Sequence, residues 1–204
     1  MGRDLGSSSI LTKTKNKMAC NVNLSGISFS CTDLPVGGLT KVLVGDKTDL
    51  VALITVDTDK NAVTYGDVAI TPTTANLLAD GDVVELDFNN KDGFSVFNDV
   101  KTVNGDGSVS TIPTIAIEFP VMSTVKRDAL EQMAVGGAEL VAFVQTAAGT
   151  MHLVGFEYGL YAGTVDGTSG ASRSDKNRYQ LTLTGEESSL AYTLTAANWA
   201  SITG

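Results

Sequence analysis

The spacing of turn residues constrains this chain more than any other feature. From Val22 onward, clusters of Gly, Asn, Asp and Ser recur every eight to twelve residues. The runs between them are short and rich in Val, Ile, Leu, Thr and aromatics. β-branched and aromatic side chains suit a pleated, half-buried surface, and such regular punctuation is the signature of an all-β chain. The pattern predicts strands over 23–31, 39–45, 50–57, 61–70, 82–89, 94–103, 109–119, 138–147, 150–157, 159–165, 177–185 and 190–195. Charged residues make up 18% of the chain, below the usual quarter, which fits a composition dominated by strands and turns.

Two segments alternate with a period of two. Ile115, Ile117 and Phe119 are separated by Ala116 and Glu118, and Tyr179, Leu181 and Leu183 by Gln180 and Thr182. One face of each strand therefore packs on a core while the other meets solvent or a partner. Val84, Leu86 and Phe88 repeat the pattern against Glu85 and Asp87. Tight turns are expected at Asn104-Gly105-Asp106-Gly107 and Ala148-Gly149, where glycine tolerates positive φ.

The period changes once, over 123–135. Val125, Ala129, Leu130 and Met133 there fall on one helical face, Ser123 is placed to cap the helix, and Gly136-Gly137 to stop it. The stripe is expected to pack against the sheet. The fold expected is all-β with one short helix, a β-sandwich or barrel-like single domain over 22–204. Ahead of it, 1–21 reads as a flexible N-terminal arm, small, polar and basic over its first 17 residues, with Met18 as a second possible start. At 204 residues the chain suits one domain that buries a full core.

The net charge of −9 and pI near 4.5 argue against a protein that grips nucleic acid, since neutralising phosphates needs clustered Lys and Arg. Such a charge simply keeps a chain soluble, and it does not exclude a passage through which DNA slides without sticking. No apolar stretch approaches the roughly 20 residues that span a bilayer, so no membrane partner is expected. The opening segment lacks the apolar region of a signal peptide. Cys20 and Cys31 are too few for a disulfide scaffold and read as reduced structural thiols.

Candidates for chemistry are sparse. His152 is the single histidine and sits inside an expected strand, so it reads as a strand residue and not as the base of a triad. Neither cysteine has a histidine near it in sequence, and two Cys with one His at no known spacing do not make a zinc site. Asp57, Asp59 and Asn61 begin like a calcium loop, but Ala62 replaces the required glycine and Val68 the closing glutamate, so a hairpin turn is the better reading. The segment from Gly38 to Thr48 has the wrong glycine spacing for a phosphate loop. Asn23-Leu24-Ser25 is a formal sequon that matters only in a secreted eukaryotic protein. The sequence thus leads to no catalytic residue, no cofactor and no metal.

The order of elements in the C-terminal half resembles that of bacteriophage major tail proteins, the tail-tube subunits, in particular those of phages with Bacteroidetes-type hosts. The resemblance rests on the helix at 123–135, the strand pair over 138–160 that ends in Gly155-Phe156-Glu157-Tyr158-Gly159-Leu160, and the Gly/Ser-rich loop at 167–174. The segment 175–186, containing Asn177, Tyr179, Gly185 and Glu186, and a short final strand complete it. It covers mainly residues 110–195 and contains no catalytic motif.

This resemblance implies a virion protein, assembled in the bacterial cytoplasm, that forms stacked hexameric rings. Its partners would be copies of itself, other tail or head–tail connector proteins, and DNA passing through the lumen without specific binding. Asp87, Asp99, Asp106 and Glu118 are the candidate lumen-facing acids. Two other classes share the composition: a head-decorating or head–tail joining protein, and a ligand-binding β-sandwich. The second would normally display aromatics for stacking on sugars, whereas aromatics are 6% here and Trp199 is the sole tryptophan. An enzyme fits the sequence least.

Overall fold

The structure, a computed structural model, describes residues 37–59, 64–89, 95–135, 137–172 and 175–204. The chain divides at 34/35, and every described residue belongs to the second unit. The arm, the strand expected at 23–31, the sequon, Cys20 and Cys31 lie outside the described residues.

In chain order the elements are β1 (Leu39–Asp46), α1 (Lys47–Leu50), β2 (Ile54–Val56), β3 (Val68–Ile70), α2 (Leu77–Asp80), β4 (Val84–Glu85), β5 (Val96–Val103) and β6 (Val109–Pro120). They continue with α3 (Thr124–Ala134), β7 (Leu140–Thr146), β8 (Met151–Val154), β9 (Leu160–Thr168), β10 (Arg178–Gly185), β11 (Tyr192–Thr193) and α4 (Ala196–Thr203). The fold is β-rich, as the turn spacing predicts.

Among the described residues, nine strands form one antiparallel sheet that works as two layers. The central layer runs β4-β1-β7-β8-β11, and the outer layer runs β5-β6-β10-β9. Among the described residues they are joined by the pair of Leu140 with Leu160. Between the layers lies a core of Val42, Val44, Ala142 and Val144 from the central sheet against Ile115, Ile117, Leu181 and Leu183 from the outer one. On the far side of the central sheet, Leu43, Val141, Phe143 and Leu153 pack under Leu50, Ile54, Leu77 and Ile202 from α1, β2, α2 and α4.

The two layers explain two kinds of strand sequence. β7 reads Leu-Val-Ala-Phe-Val without alternation because the central sheet is covered on both faces. β6 and β10 alternate because only their inner faces are covered.

Several boundaries differ from the sequence expectation. The strand expected over 50–57 shortens to β2, because Asp46 accepts a hydrogen bond from the Thr48 amide at 2.8 Å and caps a helical turn. Of 61–70 the structure describes strand only at β3, and of 82–89 only at β4, where Leu86 and Phe88 still pack on the core while Val84 is exposed. β2 and β3 pair antiparallel around Asp57, as the hairpin reading of that segment requires.

The helix at 123–135 forms as α3, with Ser123 accepting from the Lys126 amide at 3.3 Å. Its stripe is narrower than the periodicity implies: Leu130 is buried and Met133 packs on the core, but Val125 is 79% exposed. α3 is also not the single helix of the chain. α1, α2 and α4 were not anticipated; two of them are single turns, and the third starts at a Thr195 cap without a clear apolar period.

Candidate assembly surface

The outer sheet has two edges, β5 and β9, and among the described residues neither pairs along its length with a further strand. Exposed strand edges present unpaired amides and carbonyls and act as templates for another chain. Along β5 the outward groups can be assigned. The Asn104 amide donates to the Ser108 carbonyl at 2.8 Å, and the ladder continues in register from Val103 opposite Val109 to Val96 opposite Ala116. Amides alternate sides along an antiparallel strand, so those of Phe97, Asp99, Lys101 and Val103 point away from β6.

β5, β6, β10 and β9 alternate in direction, so the two edge strands run opposite to each other. The β9 edge of one copy can thus meet the β5 edge of another and continue the antiparallel order. The β5–β6 hairpin also extends past β10, whose pairing with β6 begins at Thr114. Its distal part exposes Val103 at 70% and Val109 at 45%, next to Val100 and Ile112. The turn is held by Asp106, whose carboxylate accepts from the Ser108 amide at 2.9 Å and hydroxyl at 2.6 Å. These bonds hold its carboxyl below the usual range.

The outer face of this sheet carries short side chains such as Asn98, Thr114, Ala116, Thr182 and Thr184. Glu118 is the exception: it lies on this face yet is 2% exposed, because Arg178 and Lys176 form ion pairs with it and the Asn89 amide group donates to it at 3.2 Å.

The four candidate acids do not converge. Glu118 sits within its ion-pair network and Asp106 at the hairpin tip. Asp99, opposite Pro113, turns to the inner side, where its Oδ2 accepts from the Ala191 amide at 2.6 Å, and Asp87 is exposed after β4. Alternation places odd residues of β5 and even residues of β6 on opposite faces, so Asp99 and Glu118 cannot line one surface. Asp166, opposite Gln180 on β9 and exposed, is the acid on the outer face that sequence reading missed; only the β9–β10 register shows it.

His152 lies on β8, half-buried, with its ring centroid 5.6 Å from that of Phe97. Burial lowers its pKa, opposed by the charge of Asp99. Among the described residues no three His, Cys, Asp or Glu side chains converge to hold a metal, and no described helix is long and apolar enough to cross a membrane.

No protein-family model matches the chain, and neither a curated protein nor a solved structure matches it.

Proposed function

We propose that this chain is a structural virion protein that joins copies of itself edge to edge into rings, which stack as the tube of a phage tail and conduct DNA. The observation that carries the reading is the pair of oppositely running edges on a four-stranded outer sheet. A contact between two different surfaces of the same chain closes into a ring when its rotation allows, and an even number of strands per copy keeps a closed barrel antiparallel throughout. The net charge of −9 suits a passage that does not retain DNA. The hexameric count and the tail itself come from the family resemblance.

The edge contact is tested by proline. Because the Val103 and Lys101 amides point away from β6, Val103→Pro and Lys101→Pro remove donors from the edge without removing a ladder bond of the subunit. Each variant should keep the circular dichroism and melting temperature of the parent and lose its rings in electron micrographs. Rings that persist in both variants would exclude the β5 edge as the joining surface.

A further inference from the structure

The chain crosses between the two sheet layers twice at one end of the molecule. The corner 155–159 leads from β8 to β9, and the segment 186–191 leads from β10 to β11. Two glutamates tie these crossovers together reciprocally. Glu187 accepts from the amides of Glu157 and Tyr158 at 3.2 and 3.4 Å, while Glu157 accepts from the Ser188 amide at 2.9 Å and the Tyr192 hydroxyl at 2.8 Å.

The surroundings leave this arrangement little slack. Gly155 and Gly159 have φ of 80° and 86°, and a Cβ on Gly155 would stand 2.5 Å from Leu160 Cγ. The Glu187 backbone is fixed by two hydrogen bonds with Thr111, at 3.1 and 2.8 Å. Glu187 is 8% exposed and lines a cavity of about 10 Å³ beside Pro113, Gly155 and Tyr192. Among the described residues, the charged and titratable groups that face the clasp include Glu157 on the corner, Lys47 on α1 with its ion-pair partner Glu139, which packs on Gly159, and Tyr192 on β11 with Tyr65 edge-on to it.

We propose that the Glu157–Glu187 clasp is a pH-sensitive latch that holds the two crossovers together in acidic medium and slackens them as the pH rises through neutrality. Burial raises the Glu187 carboxyl to about 7, the Glu157 charge adds to the rise, and the two amide hydrogen bonds and Lys47 only partly oppose it. A folded pKa above the unfolded one means that the folded state binds the extra proton between the ordinary value of 4.5 and about 7. Stability from this group is complete below that window and lost as pH climbs through it. His152, lowered by burial, acts in the opposite sense over part of the same range, so the latch must be read as a difference between variants.

Glu187→Gln keeps the shape and removes the proton. Melting temperatures of the full chain and of E187Q are compared from about pH 5 to about pH 8, together with a carboxyl-carbon NMR titration of Glu187. The parent should lose several degrees relative to E187Q as pH rises, protection of the Glu157, Tyr158 and Ser188 amides should fall in parallel, and the Glu187 midpoint should lie near neutrality. Equal pH slopes in both proteins, or a Glu187 midpoint in the ordinary carboxylate range, would overturn the latch. The NMR titration reads the latch even if E187Q does not fold, and neither readout depends on whether the chain forms rings.

Discussion

The carboxylate of Glu118 accepts from the guanidinium of Arg178 on the outer face of the β6–β10 ladder, at a position almost wholly withdrawn from water. Burial alone would raise the Glu118 pKa, yet hydrogen bonds from Arg178, Asn89 and Lys176 outweigh it and the carboxyl is held below its ordinary value of 4.5. The pair is therefore ionised in the fold, and its contribution is present above that value and lost as pH falls through the lowered one.

Removing one partner should be costly. Arg178→Ala is expected to destabilise the chain by about 3 kcal/mol, because it strips a buried charge of its main partner. Adding Glu118→Gln should recover a large part of that loss. Urea unfolding of the two single variants and the double variant measures both effects, and additive losses would show that the pair is not coupled.

Val121, between β6 and α3, has φ of 64°, a conformation that β-branched residues avoid. It is held there by Asn177, whose carbonyl and side-chain oxygen accept from the Val121 and Met122 amides at 2.9 and 3.0 Å. The Val121 side chain is exposed, so replacing it sacrifices no core packing. Val121→Gly should raise stability by about 1 kcal/mol through relief of this strain. A thermal scan checks the sign.

The sequence signals that proved readable are those with a local physical cause. Ile115, Ile117, Leu181 and Leu183 are buried because one face of their strands is covered, and that alternation is visible in the chain itself. Asn104 to Gly107 and Gly149 turn where glycine was needed, with φ of 85° at both Gly107 and Gly149. The layer that buries Phe143 was not readable, because its helices are too short to show a period and are held by tertiary packing on Leu50, Leu77 and Ile202. The candidate acids failed to converge for a similar reason: which face an acid occupies depends on strand register. The faces taken by Asp99 and Asp166 are not legible in the sequence, because the pairing that places them joins distant segments. The Glu157–Glu187 clasp likewise joins two loops 30 residues apart, without a local motif.

The most direct test of the central claim is electron microscopy of the purified full chain across a concentration series. Self-association through the β5 and β9 edges predicts rings with a central hole, and tubes as concentration rises. A chain that stays monomeric over the whole series would contradict the tube reading and favour a virion protein that needs another surface, such as a capsid, on which to assemble.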